Sequence, residues 1–361
     1  MALSLHPSHL LFQEPKKQDN RAVPHTQVKN TESGGFSSCN PMESRCLKTS
    51  ERLFMVKPTF TEAGGAALSS FTQENDTVSM PNPQRLPTFV VIGAMKCGTT
   101  SLHRYLRKHP EISVSRKKET NFFVEEKNWS RGLGWYESMF DPAYPVRGDF
   151  SPNYSKHPKF KGVPERMKTL LPDAKLIYMV REPVDRMVSQ YIHQVDAGRE
   201  RRPFAQALQN LEANHYIDLS CYYSQLSRFL EHYPKDNALV ISLEALSSDP
   251  APLLSRVADF LELQRPYDWS QRLTARRYNT SKQKLRPNRL GLFLNNHAKS
   301  LYRNLRKHVG FLVGRPLEKP EVSLNLRRRL QHHLRDEMKA IKAFSPDELY
   351  DWPPNWLAPK L

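Results

Sequence analysis

The sequence predicts an α/β protein with a central parallel sheet flanked by helices in three layers, and with extra helices at its C-terminal end. Three observations carry this. Short apolar runs of strand type alternate with amphipathic helical stripes from Leu86 onward, the pattern of parallel strands joined by helical crossovers. A loop bracketed by Gly93 and Gly98 joins the first run to the first stripe. Leucine-striped, basic helical patterns then close the chain.

Thr88–Gly93 is a short apolar run that ends in glycine, as a buried strand does. Gly98–His109 follows as a helix with Leu102, Tyr105 and Leu106 on one face. Lys175–Val180 is a second buried strand. Pro183 opens the next helix, a position where proline is tolerated, and Val184, Met187, Val188, Tyr191, Ile192 and Val195 keep helical spacing. A further stripe runs from Leu219 through Tyr222, Tyr223, Leu226 and Phe229 to Leu230. Ala238–Leu243 is a third strand, followed by a helix carrying Leu253, Leu254, Val257, Ala258 and Leu261. Residues 271–288 are basic and contain Pro and Asn, so a loop is expected. Helical patterns at Leu290–Leu312 and from Leu326 to Ile341 are expected to pack on the same core rather than form a separate domain.

The chain has 361 residues, of which 39% are hydrophobic and 25% charged, as suits a folded protein. Residues 1–85 differ. They are rich in Ser, Thr, Asn, Gln and Pro without a sustained period, and read as largely disordered, with Met80 an alternative start of translation. Residues 86–361 read as one domain that includes the basic C-terminal helices. The net charge is +17. Residues 265–361 hold 21 Lys and Arg against 8 Asp and Glu, which implies an anionic partner. The four cysteines, Cys39, Cys46, Cys97 and Cys221, show no CxxC pairing, so a disulfide scaffold or a structural zinc site is disfavoured and no metal is expected. The sequence has no apolar stretch near the roughly 20 residues of a membrane span and no signal-peptide pattern. The expectation is a cytoplasmic protein with no transmembrane segment.

The strongest local signal is the loop Gly93-Ala94-Met95-Lys96-Cys97-Gly98, followed by Thr99, Thr100 and Ser101. Its glycines allow a tight turn with exposed backbone N–H groups. The helix N-terminus adds partial positive charge and the hydroxyls add donors, which together suit a phosphate. The predicted architecture is therefore a P-loop-type three-layer fold. A nucleotide kinase would carry GxxxxGK[ST], but here Thr99 follows Gly98 and the lysine sits earlier, at Lys96. The strand Lys175–Val180 ends on Arg181, a cation where a magnesium-holding carboxylate would be expected. A divergent P-loop kinase is thus one alternative. A nucleic-acid-binding protein is another, but its basic residues would be interleaved with aromatics, whereas these lie on leucine-striped helices; no nucleic-acid partner is expected.

The loop with Lys96 ahead of Gly98-Thr99-Thr100 resembles the 5′-phosphosulfate loop of sulfotransferases that use 3′-phosphoadenylyl sulfate (PAPS). Arg181-Glu182-Pro183 through Ser189 and Tyr191 is similar to that family's 3′-phosphate site. Lys118-Glu119-Thr120-Asn121-Phe122-Phe123, Gly132-Leu133-Gly134-Trp135-Tyr136, Asp149-Phe150-Ser151-Pro152-Asn153-Tyr154 and Val163-Pro164-Glu165-Arg166 resemble, in the same order, segments of heparan sulfate 3-O- and N-sulfotransferases. The resemblance runs from about Leu86 to Leu263. It implies transfer of a sulfuryl group from PAPS, as co-substrate and without a metal, to a hydroxyl or amine acceptor such as an acidic saccharide. Those enzymes are Golgi-anchored and carry a late disulfide, so soluble bacterial members are the better fit.

By this resemblance Lys96, Cys97, Gly98, Thr99, Thr100 and Ser101 bind the 5′ side of PAPS, and Arg181 and Ser189 its 3′-phosphate. Glu119 is the candidate base, with Asp149 second, and Lys96 and Lys118 stabilise charge on the departing phosphate. Other roles stay open for some of these residues: a salt bridge from Arg181 to Glu182 or Asp185, and a surface pairing of Glu119 with Arg116, Lys117 or Lys118. Tyr222 or Tyr223 lies near the nucleotide by resemblance, while their helical spacing favours core packing. The late loop from Arg277 to Lys282, with Arg286 beyond, is the candidate cover for the cofactor phosphates. Arg327-Arg328-Arg329 either meets an acidic acceptor or forms a solvated face.

Overall fold

A computed structural model describes residues 81–270, 284–346 and Trp352. Five strands, β1 (Phe89–Gly93), β2 (Ile112–Val114), β3 (Val146–Phe150), β4 (Lys175–Val180) and β5 (Ala238–Ser242), form one sheet in the order β2-β3-β1-β4-β5. Every pairing in it is parallel. β1 is buried along its whole length and β4 from Leu176 to Val180, as strands covered by helices on both faces must be. The carboxyl ends of β1 and β4 lie side by side, with Val91 paired to Ile177 and Gly93 to Tyr178. Ligands of open parallel sheets bind beyond such ends.

The helices that position the site follow directly. α1 (Thr99–Leu106) begins at Gly98 and buries Leu102 and Leu106. α2 (Val163–Leu170) buries Val163 and Met167. α3 (Pro183–Asp196) starts with Pro183 in its first turn, and the Glu182 carboxylate accepts from the Asp185 N–H at 2.7 Å. That cap is worth about 1 kcal/mol. α3 buries the stripe from Val184 to Val195 read in the sequence. α4 (Tyr222–Leu230) and α5 (Pro250–Phe260) bury Tyr222, Leu226, Phe229 and Leu253, Leu254, Val257 respectively.

β2 and β3 were not among the expected strands, β2 because it is only three residues long and β3 because of its polar content. β3 reads Val-Arg-Gly-Asp-Phe. Arg147 is buried because its guanidinium donates to the carbonyls of Leu86 at 2.7 Å and of Pro83 and Pro145 at 3.2 Å. Gly148 leaves room for the Phe89 ring, which an added Cβ would meet at 2.2 Å. The charges are satisfied by local partners together with distant ones such as Leu86, Pro83 and Thr120, so no apolar run announces the strand.

The C-terminal region divides. α6 (Arg289–His297), α7 (Lys299–His308) and α8 (Gly310–Val313), with the antiparallel pair β6 (Leu285–Pro287) and β7 (Gly314–Pro316), enclose a small cluster of Leu294, Tyr302 and Val313. The single pattern Leu290–Leu312 is thus broken at Ala298 and Val309, and its cluster is separate from the main core, contrary to the expectation. α9 (Leu324–His333) and α10 (Arg335–Phe344) do join the main core through Leu326, Leu330, Leu334, Met338 and Ile341. No helix among the described residues is long and apolar enough to cross a membrane.

Candidate functional site

A cavity of about 950 Å³ opens at the carboxyl ends of β1 and β4. One wall is the loop after β1. Its Ala94 N–H donates to the Met179 carbonyl of β4 at 2.6 Å, which holds the loop against the neighbouring strand. Lys96 and Gly98 take left-handed backbone angles, with φ of 73° and 89°. At Gly98 a side chain would also meet Leu243 Cδ1 at 2.6 Å, so only glycine fits there without displacement. Lys96, Gly98, Thr99, Thr100 and Ser101 all line the cavity. The N-terminus of α1 opens into it, which favours an anion.

The opposite wall comes from β4 and α3. Arg181 and Ser189 line it together with His193 and, from the C-terminal region, Lys284. The cations crowd one another: burial lowers the Lys96 pKa first, and Lys284 and Arg181 lower it further, while Asp196 acts in the other direction. Arg181 also stands 3.6 Å from Asp185, one turn along α3. Both the salt-bridge and the cavity readings of Arg181 are therefore realised at once, and a partly exposed pair of this kind contributes about 0–1 kcal/mol. His193 is driven down to about 4 by burial and by the charges of Lys96, Arg199 and Lys284, and is neutral at pH 7.

Between the walls, Lys118 Nζ donates to Thr100 Oγ1 at 2.9 Å and lies 3.3 Å from Glu119 Oε1. Lys118 thereby links the phosphate loop to the candidate base. The Glu119 side chain is 47% exposed and lines the cavity. Beyond it Lys127, Lys156, His157, Lys159 and Phe160 form the far end. Lys127 and Lys159 both stand over the Phe160 ring, 5.8 and 5.5 Å from its centroid. Burial pushes the Lys156 ammonium down to about 7, with Glu119 holding it up and Lys159 and Lys127 pressing it down. Its Nζ donates to Met95 Sδ at 3.0 Å, a weak acceptor.

Three expected placements need correction. Tyr222 is fully buried and faces the core, where its hydroxyl donates to the Arg181 carbonyl at 2.7 Å and lies 3.8 Å from Cys97 Sγ. It supports the site from beneath and is not on the cavity wall. The Cys97 side chain is likewise buried, and burial raises its thiol pKa to about 12, so it is an inert packing group. Asp149, the second candidate base, is fully buried and accepts from Thr120, Tyr154, Ser151 and Tyr136 at 2.7–3.0 Å. Its oxygens are occupied by donors and face no cavity. Lys282 and Arg277 lie outside the described residues. Arg286 is described and donates to the Arg201 carbonyl at 3.3 Å and to the Tyr191 hydroxyl at 3.3 Å. Arg327 pairs with Glu182 at 3.4 Å and Arg329 donates to the carbonyls of Leu208 and Gln209, so that triplet is partly structural rather than a solvated face throughout.

Sequence reasoning missed Lys156, His193 and Lys284. His193 had a signal, since Asp185, Ser189 and His193 recur at four-residue steps on one helical face. Lys284 lies two residues past the candidate loop cation. Lys156 had none.

The chain matches the sulfotransferase domain family over residues 86–341. It is 31% identical over 214 residues to the human bifunctional heparan sulfate N-deacetylase/N-sulfotransferase 3, covering 53% of this chain and 24% of that protein. It is 31% identical over 200 residues to human heparan sulfate glucosamine 3-O-sulfotransferase 6, covering 52% and 55%. The chain thus spans about half or less of the length of these relatives. A sulfotransferase from Alicyclobacillus acidocaldarius has the same fold, with a TM-score of 0.54 at 24% identity over 75% of this chain and 99% of that one.

Proposed function

The chain belongs to the sulfotransferase family, and from that premise we propose that it moves a sulfuryl group from PAPS to a hydroxyl or amine of an acidic saccharide. The observation that carries this reading is the convergence of Lys96, Arg181 and Lys284 on one cavity, beside a helix N-terminus and Ser189. Arg181 and Lys284 each have a carboxylate beside them, Asp185 at 3.6 Å and Asp196 at 3.0 Å, yet burial and the two neighbouring cations still lower the Lys96 pKa, so the site fits a nucleotide with phosphates at both its 5′ and 3′ positions. PAPS would supply the transferable sulfuryl group there. Lys96, Thr99, Thr100 and Ser101 would hold the 5′ side, and Arg181, Ser189 and Lys284 the 3′-phosphate.

Glu119 takes the proton of the acceptor hydroxyl or amine at its exposed carboxylate oxygen. Lys118 keeps that carboxylate in place while also gripping Thr100, so the base and the phosphate loop are set in one frame. Lys96 stabilises negative charge that grows on the leaving phosphate without calling on a metal. Lys127, Lys156 and Lys159 give the far end a positive lining, which supports an acceptor bearing carboxylate or sulfate groups. The names of the heparan sulfate relatives support the same acceptor class. A cytoplasmic setting is part of this reading, supported by the free, buried thiol of Cys97.

The kinase alternative is disfavoured by Arg181, which brings a cation to the strand end where that chemistry needs a carboxylate. The test is release of adenosine 3′,5′-bisphosphate from PAPS in the presence of uronate-containing and neutral oligosaccharides. Release stimulated by the acidic series and abolished in Glu119→Gln is expected. Equal stimulation by neutral sugars would overturn the acceptor class.

A further inference from the structure

Every exposed large hydrophobic side chain among the described residues lies between Leu290 and Leu324: Leu290, Phe293, Leu301, Phe311, Leu312 and Leu324. Phe311 is 76% exposed and Phe293 60%. Soluble chains scatter such residues singly, and their concentration marks an interaction face. Up to Leu317 this stretch lacks carboxylates, and Glu318 and Glu321 follow only beyond α8 and β7. Residues 269–317 contain no Asp or Glu, while Arg289, Lys299, Arg303, Lys307 and Arg315 are exposed.

The helices explain how both groups reach the surface. In α6, Gly291 and Leu294 turn inward, and Leu290, Phe293 and His297 form the exposed stripe beside them. In α7, Tyr302 enters the small cluster while Arg303 and Lys307, four residues apart, stay outside. Phe311 and Leu312 follow on α8, where Val313 alone is buried. The small cluster of Leu294, Tyr302 and Val313 therefore consumes only the inner residues of these helices and leaves an apolar, cationic outer side.

We propose that this segment is a docking face for an anionic lipid surface, with Phe293, Phe311 and the neighbouring leucines entering the headgroup boundary and the five cations meeting acidic headgroups. Mixed apolar and basic helices without acidic residues bind membranes in this way. A second copy of this chain suits the face less, because a symmetric contact would set its cations against themselves. A nucleic acid or a free polyanionic glycan would use the cations and leave Leu290, Leu301 and Leu312 in water. The face is tied to the catalytic cavity through Asp196 at the end of α3, which accepts from Lys284 at 3.0 Å, from the Leu285 N–H at 3.0 Å and from Arg306 at 2.6 Å. Lipid docking would hold the helix that carries Ser189 close to the bilayer.

The experiment is flotation of the full chain with vesicles of phosphatidylcholine alone and of phosphatidylcholine with phosphatidylserine. Binding to the serine-containing vesicles is expected, and about tenfold weaker binding in Phe311→Asp and in the double variant Arg303→Glu/Lys307→Glu. Lys96→Ala, in the cavity, is expected to bind vesicles like the unaltered chain. No binding to the anionic vesicles, or binding that Phe311→Asp leaves unchanged, would overturn the proposal. So would a lipid-free dimer that Phe311→Asp dissociates, since the face would then belong to a second copy.

Discussion

At the proposed nucleotide end of the cavity the polar groups hang from the carboxyl ends of two adjacent buried strands, β1 and β4; at the proposed acceptor end, Lys127, Lys156, Lys159 and Phe160 stand on irregular segments between strands. The first end is set by backbone: left-handed Lys96 and Gly98, the Ala94–Met179 hydrogen bond and a helix N-terminus. The second is set by side chains stacked over one aromatic ring. A backbone-built site reads groups common to every reaction of a family, such as phosphates. A side-chain-built site changes with single substitutions, and the proposed function puts the choice of acceptor there. Glu119 and Lys118 stand at the junction.

The comparison can be broken at graded points. Glu119→Gln should lower kcat by about 10²–10⁴ while leaving affinity for adenosine 3′,5′-bisphosphate unchanged; equal loss of both would move Glu119 from the junction into the nucleotide end. Lys96→Ala should reduce transfer by about 10²–10³ and also weaken the nucleotide, seen by steady-state kinetics and titration. Arg181→Ala should weaken the bisphosphate by roughly ten- to a hundredfold, the worth of a hydrogen bond to a charged group, with little change in acceptor KM.

The pH profile sharpens the other end. Lys156 is charged below about 7 and neutral above it. The KM of a carboxylate-bearing acceptor should therefore be lowest below that pH and rise as pH passes through it. Lys156→Gln should raise the KM at low pH and flatten the profile; an unchanged profile would remove Lys156 from acceptor binding. The smallest effect is expected from Gly98→Ala, which forces a side chain into a left-handed conformation at a cost of about 1–3 kcal/mol and should lower the thermal unfolding midpoint.

The cavity wall after β1 was legible in the sequence because its groups are contiguous, whereas Lys284, from a distant segment, was not. Gly93 to Ser101 carries the whole loop, and Arg181 follows an apolar run that needs no partner to be recognised. Ser189 was legible by helical phase, and His193 could have been found by the same rule. The acceptor end was not legible, since Lys156 reaches the cavity only through the fold of residues 151–160. β3 was hidden because Arg147 and Asp149 are satisfied in part by residues distant in sequence. The same distance misled the reading of Tyr222 and Cys97: position in a motif does not say which way a side chain turns, and both turn to the core.

The proposed function requires a site for a 3′-phosphorylated nucleotide that needs no metal. Calorimetric titration with adenosine 3′,5′-bisphosphate in EDTA tests it most directly, with ATP as the competing ligand and Lys96→Ala and Arg181→Ala as controls. Tight binding in EDTA is expected, with weak binding of ATP and clearly weakened binding of the bisphosphate in both variants. Magnesium-dependent binding of ATP with no binding of the bisphosphate would contradict it.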